Sequence, residues 1–308
     1  MGGGGSAFLS RSSVSDMPVD AGRQRFGAHM SIAGGLHTAF GRGWQVGCDC
    51  LQIFVKNQRQ WRGPPITDDQ VRLWRRARRD TQLRPVFAHG TYLVNLASSD
   101  RTGWRRSVAA CCDELARCER LGVGDLIIHP GAHGGRGVLA GIARVTAALD
   151  ELFDRTAGAP VRILLETTAG QGNAIGHEFE QLAEIMGGVG DRRRVGVCMD
   201  TAHVFAAGYD LRKPDGYAET IERLDRAVGL RRVRCLHVND SKTGCGSRVD
   251  RHDHIGRGKL GRRAFRMLLN DERLVSVPRI LETPKGEDGR GRSYDKNNLD
   301  KLRRLVGD

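Results

Sequence analysis

Six short apolar runs in this 308-residue chain each end on a side chain able to bind a metal or move a proton: His89, His129, Glu166, Asp200, His237 and Glu282. Three more such residues, His203, Asp250 and His252, fall in the stretches that follow the runs ending at 200 and 237. Five imidazoles and four carboxylates without a thiolate suit Zn²⁺ or Mn²⁺ in a catalytic rather than a structural site. Nine donors exceed the needs of one ion; with a bridging carboxylate they suit three four- or five-coordinate ions. Each residue alone has a plainer reading. A histidine at a strand end is most often a hydrogen-bonded core residue, and an acid such as Asp200 often caps a helix or forms a turn. Capping does not explain six such endings on one rim, and an unpaired buried acid is costly.

The elements that must position these residues alternate. Eight apolar runs, 25–30, 50–55, 85–89, 125–129, 161–166, 195–200, 233–238 and 277–282, read as strands. Helical stretches separate them, including an Arg-rich helix opened by Thr67-Asp68-Asp69 and others near 104–121, 138–157, 178–186 and 216–228, with a terminal helix near 297–305. In the 104–121 stretch Val108, Cys111, Cys112, Leu115 and Cys118 recur at spacings of three and four, as an amphipathic helix requires. The simplest architecture is an α/β single domain, a (β/α)₈ TIM barrel over 25–308. Sites in such barrels sit at the C-terminal strand ends, where the nine donors fall. A doubly wound sheet is the alternative, but no strand is followed by Gly-x-Gly-x-x-Gly. The polar stretch 239–261 is a long loop, a kind that is usually functional.

Composition sets the remaining bounds. Lys and Arg number 49 against 36 Asp and Glu, a formal charge of +13. Such a surface attracts polyanions or anionic membranes, unless it only reflects an Arg-rich proteome. No run of 18 apolar residues exists, so no membrane span is expected. Eight cysteines without a Cys-x-x-Cys pair, several in apolar runs, point to a reducing compartment and no structural disulfides. Residues 1–24 are Gly/Ser/Arg-rich without periodicity and read as a disordered extension.

The segments GAHMSIAGGL (27–36), FVKNQRQWRGPP (54–65), HGTYLVNLAS (89–98), HPGAH (129–133), LETTAGQGNAIG (165–176), VGVCMDTAHVFAAGYDLR (195–212), HVNDSKTGCGSRVDRHDHIGRGKLG (237–261) and LETPKGEDG (281–289) together resemble the endonuclease IV family of abasic-site endonucleases. The resemblance spans about 25–290. It implies a trinuclear zinc barrel, with Mn²⁺ as a substitute. By motif position, His89, His129 and Glu166 would hold one zinc. Glu166 would bridge to a second, shared with Asp200, His237 and Glu282; His203, Asp250 and His252 would hold the third. Glu166 and Glu282 would be catalytic, positioning a hydroxide for in-line attack. Metal clusters suit such phosphodiester hydrolysis because they acidify water and neutralise the leaving oxygen.

The implied substrate is double-stranded DNA with an abasic site, cut on the 5′ side to leave a 3′-hydroxyl and a 5′-deoxyribose phosphate; trimming of 3′ ends is a further implied activity. An abasic nucleotide costs less to extrude than an intact one. The resemblance places Arg59, Tyr92 and Leu93 at the gap, with Asn57 and Gln58 as further DNA-loop candidates. Arg can contact phosphate, and Tyr and Leu can wedge. A cytoplasmic, nucleoid-associated monomer is expected. One position departs from the family: Arg257 stands between Gly256 and Gly258 where the family usually has glutamate. Two competing classes are a metal-dependent sugar isomerase, which would use only Glu166, Asp200, His237 and Glu282, and a non-catalytic damage binder, which a lost ligand would betray.

Overall fold

A computed structural model describes residues 24–307. Of the expected extension only Gln24 falls within them, its amide donating to the Leu269 carbonyl at 2.6 Å; the rest lies outside the described residues.

The chain opens with β1 (Phe26–His29), α1 (Thr38–Val46), β2 (Cys50–Phe54), α2 (Asp68–Thr81) and β3 (Val86–His89). It continues through α3 (Arg101–Leu121), β4 (Asp125–Ile128), α4 (Val138–Arg155), β5 (Arg162–Glu166) and α5 (Phe179–Gly188). Then come β6 (Val195–Asp200), α6 (Thr201–Ala207), α7 (Pro214–Val228) and β7 (Val233–His237). Two short strands, β8 (Asp240–Ser241) and β9 (His252–Asp253), precede α8 (Gly261–Leu269), β10 (Arg279–Leu281) and α9 (Tyr294–Arg304). Eight strands close a barrel in the order β1-β10-β7-β6-β5-β4-β3-β2, every pair parallel. The expected TIM barrel is the fold.

The strands are short apolar runs because they are buried on both faces. Inside the barrel, Cys50, Phe87, Ile127, Leu164, Cys198, Cys235 and Ile280 pack as one plug, none more than 2% exposed. The opposite faces meet the helices in the larger core, where Trp74, Phe40 and Leu115 are fully buried. At Gly27 on β1 a Cβ would run into the Cys50 carbonyl, so β1 approaches β2 more closely than a side chain permits.

Three elements differ from the sequence expectation. The helix expected from 104 starts at Arg101, because Asp100 caps it by accepting from the Thr102 and Gly103 amides. The stretch after 200 forms α6, whose N-cap is Asp200 itself, accepting from the His203 amide at 2.8 Å. The loop 239–261 contains an antiparallel hairpin, Asp240 opposite Asp253 and Ser241 opposite His252. All eight cysteines are free, as expected.

Candidate metal centre at the barrel rim

The parallel register brings strand ends from around the barrel to one rim. His89, Glu166, Asp200 and His237 are the last residues of β3, β5, β6 and β7; His129 and Glu282 lie one residue beyond β4 and β10. His203 is on the first turn of α6, and β9 carries His252, with Asp250 two residues earlier. All nine predicted residues meet there, and ligand atoms gather into groups within 4.8 Å that could hold a metal ion. One is His89, His129 and Glu166; the second is Glu166, Asp200, His237 and Glu282; the third is Asp200, His203 and His252. Asp250 closes the third, its carboxylate 3.2 Å from His203 Nε2 and 3.4 Å from His252 Nε2. Glu166 is thus shared by two groups, and so is Asp200.

The histidines are oriented by their own chain. Nδ1 of His89 faces the Gly90 carbonyl at 2.8 Å, Nδ1 of His203 the Thr167 carbonyl at 2.8 Å, and Nδ1 of His252 the Glu282 carbonyl at 3.3 Å. A carbonyl only accepts, so each Nδ1 carries a proton and each Nε2 is left to face the rim. His237 is reversed: its Nε2 donates to Gln52 Oε1 at 2.7 Å, leaving Nδ1 beside Glu166 Oε1 at 2.9 Å and Glu282 Oε2 at 3.1 Å. Nε2 of His203 and of His252 is buried and makes no hydrogen bond. The Asp250 oxygens are near these atoms but not aligned for one. Buried ring nitrogens without a hydrogen-bond partner fit a cation, and the imidazole–carboxylate donor set fits zinc.

The charges point the same way. Burial alone would raise the Glu166 pKa, but the imidazoles of His237, His129 and His203 outweigh it and hold the carboxyl well below its usual range. His237 and His29 do the same for Glu282. Burial would lower the His203 and His89 pKa values, yet both are raised, His203 by Asp200, Asp250 and Glu166, and His89 by Glu166 and Glu282. The rim favours added positive charge, from protons or from metal ions.

Sequence reasoning missed the residues that hold these groups. Gln52, fully buried on β2, also donates to Glu282 Oε1 at 2.6 Å and lies 2.9 Å from His29 Nδ1. Asn239 donates to Asp200 Oδ2 at 2.7 Å while its own oxygen accepts from the Glu282 amide at 2.7 Å. A polar residue inside a strand buried on both faces, as in Cys50-Leu-Gln-Ile-Phe54, was the available signal. Two thiols, Cys198 and Cys235, also lie against His237. Burial pushes the Cys198 thiol well up, and both thiols belong to the apolar plug beneath the rim.

Tyr92 stands 72% exposed at the mouth of a cavity of ≈ 280 Å³ that His89 and His129 also line. Its ring packs edge-on to Phe54 at 5.7 Å. Asn57, Gln58, Arg59 and Leu93 lie outside that lining, on the loops after β2 and β3. Asn57 and Arg59 are exposed, and Asn57 Oδ1 accepts from the Arg59 amide at 2.9 Å, which turns the loop outward. Both loops are seated on α3. Arg106 covers the Trp61 ring at 4.3 Å, Arg117 donates to the Pro64 carbonyl at 2.7 Å, and the buried Lys56 ammonium donates to the Trp61 carbonyl at 3.0 Å.

A closed parallel barrel with this rim defines the class, and comparison with known proteins agrees. Residues 44–305 match the family model described as xylose isomerase-like TIM barrel. The chain is 51% identical over 282 residues to the probable endonuclease 4 of Chloroflexus aurantiacus, covering 92% of this chain and 98% of that protein. It is 49% identical over 280 residues to the probable endonuclease 4 of Geobacter sulfurreducens, covering 91% and 94%. The crystal structure of endonuclease IV from Thermus thermophilus superposes with a TM-score of 0.79 at 37% identity, over 91% of this chain and 98% of that one. A D-tagatose 3-epimerase-like protein, at 18% identity and a TM-score of 0.69 over 92% of this chain and 97% of that one, shares the fold alone. The chain belongs to the endonuclease IV family. Among the described residues no helix is long and apolar enough to cross a membrane.

Proposed function

We propose that this chain, one domain over 25–308, is a zinc-dependent abasic-site endonuclease that cuts duplex DNA 5′ of the lesion, leaving a 3′-hydroxyl and a 5′-deoxyribose phosphate. The carrying observation is the gathering of nine imidazole and carboxylate side chains into three adjoining groups on one rim. Family membership and the basic surface support the reading. His89, His129 and Glu166 would hold one zinc; Glu166, Asp200, His237 and Glu282 a second; His203, Asp250 and His252 a third, with Asp200 beside it. Ions of this kind supply Lewis acidity, acidifying water and neutralising charge on phosphoryl oxygens.

The chain's own groups do the rest. Glu166 and Glu282 face each other across His237, and one or both can orient the attacking water and take its proton. Gln52 and Asn239 fix the direction of Glu282. Tyr92 and Leu93 would fill the gap left by the missing base, and Arg59, Asn57 and Gln58 would contact the strand beside it. The sugar-isomerase reading needs only Glu166, Asp200, His237 and Glu282. It leaves the rim-facing Nε2 atoms of His89, His203 and His252 without a use.

The test is incision of an end-labelled abasic duplex by purified protein without added Mg²⁺. The expected products are a strand ending in a 3′-hydroxyl that a polymerase extends and a 5′-deoxyribose phosphate end. An intact duplex at protein excess would remove the reading.

A further inference from the structure

A second concave site lies beside the rim. Arg257, Arg292, Lys301 and Arg304 converge on a cavity of ≈ 210 Å³ whose walls include His254 and Tyr294. Both walls descend from rim elements: the loop that carries Asp250 and His252 continues to Arg257, and the connection after Glu282 leads to Arg292. Among the described residues none of the four cations forms an ion pair with a carboxylate. Lys301 donates to the Ile255 carbonyl at 3.0 Å and Arg304 to the Asp300 carbonyl at 3.1 Å, while the Arg257 guanidinium lies 5.8 Å over the Tyr294 ring. The cavity's one carboxylate, Asp288, is already occupied. It accepts from the Arg290 amide at 2.9 Å, the Arg292 amide at 3.0 Å and Asn297 Nδ2 at 2.8 Å.

Four cations around one cavity outnumber its single carboxylate, Asp288, and repel one another. Burial, then Arg257, Arg262 and Arg304, push the Lys301 pKa down. An anion placed among them relieves that cost. Guanidinium forks match phosphate oxygens, and several converging cations suit a backbone that carries one charge per nucleotide. The Tyr294 ring is covered by His254 at a centroid distance of 4.2 Å, with Arg257 over it, so it is not free to stack a base. The site is built for phosphate and not for sequence.

We propose that Arg257, Arg292, Lys301 and Arg304 form a second phosphate-binding site that grips the DNA backbone flanking the rim. It rests on the reading of DNA as the substrate. In this site Arg257, the departure from the usual family glutamate, gains a role: it turns a charge that would repel DNA into one that holds it.

The test is the salt dependence of binding to an undamaged duplex, which requires no incision. Each lost phosphate contact lowers the slope of log K against log[salt] by about 0.9. The variant R257A/R292A/R304A removes three exposed side chains. Its slope is expected to be shallower than wild type by about 2 to 3. The control R193A/R226A/R231A removes as many exposed arginines, Arg193 and Arg231 coming from the segments before β6 and β7, at the opposite barrel end; its slope should stay within about 0.5 of wild type. A wild-type slope in the first variant, or equal flattening in the control, overturns the proposal. Wild-type incision of the abasic duplex is scored separately, so loss of the endonuclease reading and loss of this site give different results.

Discussion

Lys56 Nζ lies 3.4 Å from Glu114 Oε1, with the two side chains 1% and 0% exposed, and the same oxygen accepts the Thr91 amide at 3.1 Å. Through this pair α3 fastens the loop after β2, which carries Arg59, to the loop after β3, which carries Tyr92 and Leu93. Asp113 holds the same ammonium at 3.2 Å and Arg117 at 2.9 Å. Removing Glu114 leaves the buried ammonium to Asp113 and two carbonyls and takes the acceptor from the Thr91 amide. Glu114→Ala is expected to cost about 1–3 kcal/mol. Glu114→Gln keeps an acceptor for Thr91 and should cost less. Urea unfolding gives both values, and an unchanged midpoint in Glu114→Ala would show that Asp113 alone satisfies Lys56.

Shared carboxylates make metal content diagnostic. Glu166→Ala and Asp200→Ala each touch two of the three groups, whereas His129→Ala and His252→Ala each touch one. Elemental analysis of wild type is expected to find three zincs per chain. The Glu166 and Asp200 variants should lose about two and the histidine variants about one, since a site short of a ligand holds its ion poorly. Equal losses in all four would mean that the ions bind as an inseparable cluster.

Gln52 sets which nitrogen of His237 is free. Groups of this kind typically contribute 10- to 100-fold in metal affinity or activity. Gln52→Leu should weaken zinc retention in a chelator competition by about that factor. Gln52→Glu still accepts from His237 but cannot donate to Glu282, and should fall between. Wild-type retention in Gln52→Leu would remove Gln52 from the centre.

Protons and metal compete for the rim. His89 and His203 are raised above 6.5 in the metal-free chain, so their contribution to its stability is complete below that pH and is lost as pH rises through the raised values. Metal uptake must expel those protons. Zinc affinity should therefore climb with pH above 6.5, and the chelated protein should melt lower at pH 9 than at pH 6.5. Calorimetry in buffers of different ionisation enthalpy should show net proton release. Zero release near neutral pH would place both imidazoles as neutral before binding.

Tyr92 is largely solvent-exposed, so Tyr92→Ala should shift stability by no more than about 0.5 kcal/mol. A side chain that fills the lesion gap by stacking is worth about 1–3 kcal/mol. Affinity for an abasic duplex should fall by the corresponding factor, with little change for intact DNA. An equal loss on both substrates would make Tyr92 a general contact.

The barrel and its rim were legible because both are written in local pattern: a short apolar run, a polar stop, a helix. His89, Glu166 and His237 stand at those stops and needed no tertiary information. α6 was missed because seven residues beginning Thr201-Ala-His203 hold too little periodicity, although Asp200 was visible as a helix cap. The hairpin of Asp240–Ser241 with His252–Asp253 was missed because two-residue strands have no alternation to detect. That Asp200 joins two groups, and that Gln52 reaches His237 and Glu282 together, depends on how strands distant in sequence are staggered around the barrel.

The plug formed by Phe87, Ile127, Leu164 and their neighbours beneath the rim bears on traffic as well as stability. Among the described residues this floor, with no side chain more than 2% exposed, leaves no rear exit. Water, chelator and metal reach the rim residues from above, by the same route as the strand to be cut. On the proposed reading a duplex seated on the rim covers that approach, so zinc should leave to a chelator far more slowly from the DNA-bound protein than from the free one.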